Sequence, residues 1–330
     1  MSEDLILVEN LVKHFPTRQG LVKAIDGISF SIKSGETFGL VGESGSGKST
    51  TGYVLVGLYS ATSGAIYVKG ERIRENVRHR PMSLKKEIQM VFQDPGSSLN
   101  PRRNIRQIIE LPLRAIGYSK NETESKIVEL LRVVDLREEY LERYPRELGG
   151  GEKQIVAVAR AFATNPSFIV LDEPTSALDV SMQARIMNLL IRYQKDLGLS
   201  YLFITHNLSL MRNVASRVAI MYLGKICEIA SSSEFFINPL HPYTKMLLSS
   251  IPVITREEER LKPKKIKAVG EIPSPVNVPP GCSFHPRCAE RMAICQKEDP
   301  IVREITKGHF VRCHLYDCRT GCDAHTEIAT

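Results

Sequence analysis

The stretch Gly42-Glu43-Ser44-Gly45-Ser46-Gly47-Lys48-Ser49-Thr50 limits the folds open to this chain more than any other. It follows the apolar run Phe38 to Val41 and opens the helix-compatible segment Thr51 to Tyr59, so it reads as strand, glycine loop and helix. Glycines in such a loop let backbone N–H groups turn inward around a polyphosphate. The helix beginning there adds its positive end to the same field. Lys48 is placed to reach the β- and γ-phosphates and Ser49 to ligate Mg²⁺, so the expected ligand is a nucleoside triphosphate. The plain alternative is a glycine turn matching by chance, and the strand-to-helix context argues against it.

A second apolar run ends in charge. Phe168-Ile169-Val170-Leu171 precedes Asp172-Glu173, which suits a strand buried on both faces with two acids at its C-terminal end, where α/β sheets hold ligands. Asp172 suits a contact beside the Mg²⁺, and Glu173 suits polarising an attacking water. A solvated turn is the alternative for an isolated Asp-Glu pair. Ile88 to Phe92 and Tyr201 to Ile204 read as further strands, ending at Gln93 and at Thr205-His206. Gln93, Asp172, Glu173 and His206 then share one sheet edge; a solvated loop residue is the alternative for Gln93, and His206 sits where a γ-phosphate contact would be made, with a structural histidine as its alternative. Phe15 lies in a polar stretch ahead of the P-loop, where an exposed aromatic stacks on a base; a core aromatic is the alternative.

Between these strands, Ile105 to Tyr144 shows helical spacing (Ile108, Leu111, Leu113; Ile127, Leu130, Leu131, Val134), predicting a helical insertion. Leu148-Gly149-Gly150-Gly151-Glu152 precedes a helix predicted over Lys153 to Ala163. A glycine run in that place is either a second phosphate site or a flexible connector. Short alternating runs before residue 41 predict antiparallel strands, and an amphipathic helix is predicted over Gln183 to Leu197. Val218 to Leu223 and Ile226 to Ile229 predict a hairpin around Gly224, and His241-Pro242-Tyr243-Thr244 opens a short helix to Ser249. Thr255 to Lys267 reads as a charged linker, and the proline-rich stretch Gly270 to Gly281 as an extended arm.

The 330 residues allow an α/β core plus a smaller second unit, and the formal charge of +7 permits nucleotide, nucleic acid or an anionic membrane face without choosing among them. No apolar run approaches a spanning helix, and the acidic start Met1-Ser2-Glu3-Asp4 is unlike a signal peptide, so a soluble cytoplasmic chain is expected. Six of the seven cysteines fall in the last 49 residues. Without an export signal, such crowding favours a metal or cluster over disulfides. Cys282, Cys288, Cys295 and Cys313 are separated by five, six and seventeen residues, which matches neither the usual tight zinc pairs nor the simple ferredoxin run. Cys318 and Cys322 read as tail residues outside the set, and Cys227 as an isolated buried hydrophobe.

In this order the motifs resemble the ATP-binding subunits of ABC transporters over roughly residues 5–250: the P-loop, Gln93 in Val-Phe-Gln-Asp-Pro, the glycine segment 148–152, Leu-Asp-Glu-Pro-Thr at 171–175, Ser-Ala-Leu-Asp at 176–179, and His206. His241-Pro242-Tyr243-Thr244 and the tail Gly270-Glu271-Ile272-Pro273-Ser274-Pro275 with Gly281-Cys282 resemble the oligopeptide/dipeptide importer ATPases, a group that includes some nickel importers. Ser97-Ser98-Leu99-Asn100-Pro101-Arg102 is similar to the second ATPase of such systems, the OppF or DppF type.

The resemblance implies a RecA-like P-loop NTPase core with an antiparallel β subdomain and a helical subdomain (about 97–160), together spanning 1–250, plus a small cysteine-rich C-terminal domain over 251–330. It implies ATP and Mg²⁺ as ligands, with Phe15 on adenine and Ser49, Gln93 and Asp172 around Mg²⁺. Glu173 activates water and His206 senses the γ-phosphate. It also implies a [4Fe-4S] cluster on Cys282, Cys288, Cys295 and Cys313, with zinc as runner-up.

The implied partners are a second ATPase subunit, identical or different, closing head to tail so that Gly149, Gly150 and Gly151 face its ATP, together with two membrane permeases and an extracellular peptide-binding protein. The implied place is the cytoplasmic face of the membrane. The chain departs from the family's usual Leu-Ser-Gly-Gly-Gln in having Gly149 and Glu152. The rival expectation is a soluble ABC-type ATPase acting on nucleic acid or ribosomes; the single P-loop and the lack of a heptad coiled coil oppose it.

Overall fold

The computed structural model of the chain describes residues 4–74, 76–251, 266 and 270–317. The charge run 255–267, apart from Ile266, and Cys318 and Cys322 lie outside the described residues. Two compact units are each assembled from several segments: Met1–Glu9, Phe30–Phe38 and Ser49–Thr205 form one, and Asn10–Ser29, Gly39–Lys48 and His206–Thr330 form the other.

Strands are numbered β1 (Asp4–Thr17), β2 (Gly20–Lys33), β3 (Thr37–Val41), β4 (Ser63–Val68), β5 (Glu71–Arg72), β6 (Ile88–Val91), β7 (Phe168–Asp172), β8 (Ser200–Thr205), β9 (Arg217–Tyr222), β10 (Lys225–Ser231), β11 (Arg303–Thr306) and β12 (His309–Val311). β1, β2, β4 and β5 form a sheet in the order β2-β1-β4-β5.

In the first unit β6, β7 and β8 pair in parallel, with Met90 opposite Val170 and Val170 opposite Leu202. Every residue of β7 and β8 is buried, which is why both read as unbroken apolar runs: helices cover both faces of such strands. Parallel neighbours need long crossovers. The one from β6 to β7 is the expected helical insertion: α1 (Lys48–Val56) and α2 (Met82–Glu87) precede it, and α3 (Pro95–Ser98), α4 (Ile105–Ala115), α5 (Lys120–Val133) and α6 (Gly150–Phe162) form it.

Reciprocal caps start α4 (Asn104 with Gln107) and α5 (Ser119 with Glu122). The buried face of α4 is Ile105, Ile108, Ile109 and Leu113. Leu111, expected on that face, is 53% exposed, because at 3.6 residues per turn it lies about 130° from the centre of the stripe. The helix expected from Lys153 starts earlier, at Gly150. α7 (Val180–Leu197) likewise starts before Gln183, since Asp179 caps it by accepting the Met182 N–H at 2.9 Å.

In the second unit β9 and β10 form the expected antiparallel hairpin. Its two-residue turn, Leu223 (φ 42°) and Gly224 (φ 80°), is left-handed at both positions, as strand twist demands of so tight a loop. β12 pairs antiparallel with β10, Glu228 opposite Val311, and β11 pairs with β12. The cysteine-bearing tail thus adds two strands that the sequence reading did not predict; at four and three residues they are too short for a legible alternation. α8 (Leu208–Val214), α9 (Ser232–Ile237) and α10 (Pro242–Ser249) are α-helices of this unit. Residues 270–281 form neither helix nor strand, in keeping with an extended arm, and Pro275 accepts the Lys23 N–H at 3.1 Å. Among the described residues, no helix is long and apolar enough to cross a membrane.

Candidate nucleotide site and cysteine cluster

The P-loop leaves the fully buried strand β3 and is glycine where the fold is most crowded. A Cβ on Gly42 would lie 2.1 Å from the Met221 carbonyl oxygen, and one on Gly47 would lie 2.0 Å from that of Ala24. Gly47 also takes φ 108° and Gly45 φ 77°, conformations that side chains resist. Lys48 is buried and folds its Nζ back over the loop, donating to the Gly42 and Glu43 carbonyls at 2.8 Å each. A phosphate entering the loop would compete with those carbonyls for the ammonium.

The acids at the end of β7 each take a polar partner within the first unit. Ser49 Oγ donates to Asp172 Oδ1 at 2.9 Å. Gln93 Nε2 donates to Glu173 Oε2 at 3.0 Å. Asp172 is fully buried, and burial, followed by the charge of Asp172 and a hydrogen bond to it, raises the Tyr53 pKa. Glu173 sits at φ 43°, strained for a side chain with a Cβ, and its N–H is held by the Ile204 carbonyl of β8 at 2.9 Å. Strain of this kind costs ~1–3 kcal/mol and collects at functional positions. A cleft of about 170 Å³ is lined by Gln93, Gly150, Lys153, Glu173, Ser176 and neighbouring residues.

His206 follows β8 directly and is exposed. Phe15, read as lying in a polar stretch, is on β1 and half-buried, with Lys13 Nζ 4.7 Å from its ring centre. Both belong to the second unit, with residues 42–48.

The signature glycines open α6, with Gly149 as N-cap. Glu152 folds back on this start: its Oε2 accepts the Gly149 N–H at 2.9 Å, while Oε1 accepts the Tyr140 hydroxyl at 2.5 Å. Those bonds, the Tyr140 one foremost, hold its carboxyl below the usual pKa. Glu152 therefore supplies one half of a capping box whose other half, a hydroxyl at position 149, is missing.

The tail cysteines lie within electrostatic reach of one another. Cys313 is pushed up to about 12, by burial first and then by the charges of Cys282, Cys288 and Cys295; Cys288 is pushed up to about 11 by burial, with Cys282 and Cys295 adding to it. Cys227, read as isolated, lies within electrostatic reach of Cys282 and Cys313. β10 carries it there, and nothing in its local sequence signals this. Among the described residues no three His, Cys, Asp or Glu side chains are gathered closely enough to hold a single metal ion. The donor set is thus right in kind and mutually near, but not drawn in around one centre.

A P-loop with a Ser49–Asp172 link and a Gln93–Glu173 pair at the end of a parallel sheet defines a nucleotide-hydrolysing α/β protein. Comparison with known proteins narrows the class. The ABC transporter family model matches residues 25–176, and the model of the oligopeptide/dipeptide transporter C-terminal region matches 227–295.

The oligopeptide transport ATP-binding protein AppF of Bacillus subtilis is 47% identical over 325 residues, covering 96% of this chain and 98% of that protein. The dipeptide transport ATP-binding protein DppF of Escherichia coli is 40% identical over 327 residues, covering 96% of each. Among solved structures, the dimeric post-hydrolysis state of the ATP-binding cassette MJ0796 bound to ADP and Pi superposes with a TM-score of 0.62 at 29% identity, over 69% of this chain and 98% of that one. CbiO1 of Clostridium perfringens, part of the transporter complex cbiONQ, gives 0.63 at 27%, over 72% and 92%. The chain belongs to the ATP-binding subunits of the oligopeptide/dipeptide ABC transporter family, and it is an ABC-type ATPase.

Proposed function

We propose that the chain binds MgATP and hydrolyses it to drive uptake of di- or oligopeptides through two partner permeases, working at the cytoplasmic face of the membrane beside a second ATPase and supplied by an extracellular peptide-binding protein. The Ser49–Asp172 and Gln93–Glu173 pairs carry the catalytic part of this reading, since they join a Mg²⁺-ligating hydroxyl, two acids and a polar sensor by hydrogen bonds of 2.9 and 3.0 Å. Lys48 and the backbone of residues 42–50 hold the phosphates, Phe15 stacks on adenine, Glu173 orients and deprotonates the attacking water, and His206 contacts the γ-phosphate. Gly149, Gly150 and Gly151 face the ATP of the second ATPase. Peptide rather than nickel is favoured because the relatives above are named for oligopeptide and dipeptide transport.

Glu173→Gln tests the assignment. It should retain MgATP binding and lower turnover by roughly 10²- to 10⁴-fold, the usual contribution of a general base; undiminished turnover would remove Glu173 from the chemistry. Activity that rises with permeases and peptide-binding protein, and ignores nucleic acid, separates the importer from the soluble alternative.

We assign residues 251–330 to a C-terminal region whose Cys282, Cys288, Cys295 and Cys313 hold a [4Fe-4S] cluster, with zinc as runner-up. The mutual proximity of the four thiols supports four-cysteine ligation. Four cysteine thiolates are the usual donor set for such a cluster. A bound cluster would cross-link a segment with little core of its own and take no part in phosphate chemistry. Anaerobically purified protein should be brown and contain iron and sulfide, and colourless protein with one zinc would overturn the cluster.

A further inference from the structure

Glu43 is the only charged side chain within the loop ahead of Lys48, and the cysteine-bearing tail holds it. Arg287 donates from Nη1 to Glu43 Oε2 at 2.6 Å and from Nη2 to Oε1 at 3.0 Å, a two-pronged pair with the guanidinium side chain 4% exposed. Tyr243, at the start of α10, donates its hydroxyl to Glu43 Oε2 at 3.2 Å and accepts the Glu43 N–H at 3.0 Å. The loop's carboxylate and one of its N–H groups are therefore both engaged. Tyr222, Tyr243 and Phe284 pack as a cluster with ring centres 4.8 to 5.3 Å apart, and the guanidinium lies 5.8 Å from the Tyr222 ring centre and 6.0 Å from that of Phe284. Arg287 lies on a tight turn that starts at Cys282, whose carbonyl accepts the His285 N–H at 2.9 Å, and runs directly into Cys288.

Glu43 has no evident role toward a nucleotide, and an anionic side chain in a loop that receives a polyphosphate works against binding unless it is neutralised. The entry of the loop must also be held in its binding conformation, and restraint in advance lowers the entropic cost of binding. A planar two-pronged cation answers both needs, and Arg suits it better than Lys.

We propose that Arg287, assisted by Tyr243, is a positioning residue of the ATPase: it neutralises Glu43 and fixes the entry of the P-loop, so that the cysteine-bearing tail sets nucleotide affinity. Arg287 acts through Glu43 and leaves the chemical step to Glu173. Loss of the clamp therefore weakens binding of MgATP and spares turnover at saturation. This inference rests on the chain being a MgATP-binding subunit.

The test compares MgATP Kd and the KM-against-kcat split in the full-length protein for Arg287→Ala, Arg287→Lys, Tyr243→Phe and the double variant Arg287→Ala/Glu43→Gln, with thermal unfolding followed in parallel. Arg287→Ala should raise Kd and KM about tenfold, in line with a hydrogen-bonded charge pair, with kcat within about twofold. Arg287→Lys should fall between it and wild type, and Tyr243→Phe should raise Kd about threefold. The double variant should recover much of the affinity, because the orphaned negative charge is gone. Wild-type Kd in folded Arg287→Ala overturns the proposal. If that variant does not fold, wild-type Kd in both Arg287→Lys and Tyr243→Phe overturns it instead. Failure of the underlying reading looks different: the unmodified protein would then not bind MgATP at all.

Discussion

The P-loop and the signature segment are both runs of glycine that open a helix, yet the surroundings of their glycines differ. At Gly42 and Gly47 an added Cβ would meet backbone carbonyl oxygens at 2.1 and 2.0 Å. At Gly149 it would meet only Glu152 Oε2 at 3.7 Å, and at Gly150 only Leu178 Cδ2 at 3.9 Å. Gly149 moreover takes φ −68° and ψ 165°, which any residue adopts. Glycine at positions 42 and 47 is a steric requirement of a loop wedged against backbone carbonyls. Glycine at position 149 is a choice that the local fold would let a serine replace. A motif letter therefore carries different weight in the two places, and each weight can be measured.

The strongest contrast comes from Gly47→Ala. Its methyl group would need the Ala24 carbonyl to move and would also hold a left-handed φ, so overpacking and strain together should cost ~3–5 kcal/mol. Denaturant unfolding and nucleotide binding should both show it; a variant of native stability that still binds MgATP would mean the loop is far looser than its geometry.

Mild acid should separate the supports of the two segments. His241 caps α10, its Nδ1 accepting the N–H of Tyr243, whose hydroxyl lies on Glu43. Burial lowers its pKa to about 4, against the opposing charge of Glu228 and with the help of Arg312 and Lys245. The unfolded chain takes up this proton below about 6.5 and the folded one only near 4, so stability declines as pH falls through that interval, by roughly 3 kcal/mol in all. Glu152, beside the signature, has a depressed carboxyl; its contribution is intact above the ordinary carboxylate pKa and is lost only below it. Denaturation between pH 7 and 4.5 should show the first loss. His241→Asn, which keeps a capping acceptor and cannot titrate, should flatten the profile, and an unchanged slope would assign the protons elsewhere.

Gly149→Ser should be the mildest change to the fold. A serine N-cap gains a few tenths of a kcal/mol over glycine and would complete the box that Glu152 already half forms. Its functional effect should exceed its structural one. In a head-to-tail dimer the new hydroxyl faces the partner's ATP, and a hydrogen bond to that charge, ~1.5–3 kcal/mol, would speed that site by roughly ten- to a hundredfold if it acts in the transition state. A rise in hydrolysis by the reconstituted pair, absent when the partner's own catalytic glutamate is removed, would support a weak site in the present sequence. An unchanged rate would show that water already fills the gap.

Much of this was legible beforehand because it is local. The P-loop spacing, the unbroken apolar runs of β7 and β8, the helical stripe of α5, the hairpin around Gly224 and the cap at His241 each depend on residues a few positions apart, where chain geometry alone relates side chain to backbone. Boundaries drifted where a cap was misplaced, as at Gly150 and Val180, and one stripe residue, Leu111, turned outward because three-residue steps drift around a helix.

What lay beyond the sequence joins residues far apart in the chain. Arg287 reaches Glu43 across 244 positions, Cys227 comes within electrostatic reach of Cys282 and Cys313, and β12 finds β10 only through sheet pairing. Motif spacing marked the phosphate loop and the acids, and the order of those motifs carried the resemblance to the family, since such signals are covalent and short-ranged. Which side chain restrains the loop, and which glycine the packing actually requires, was decided by tertiary contacts that no local pattern encodes.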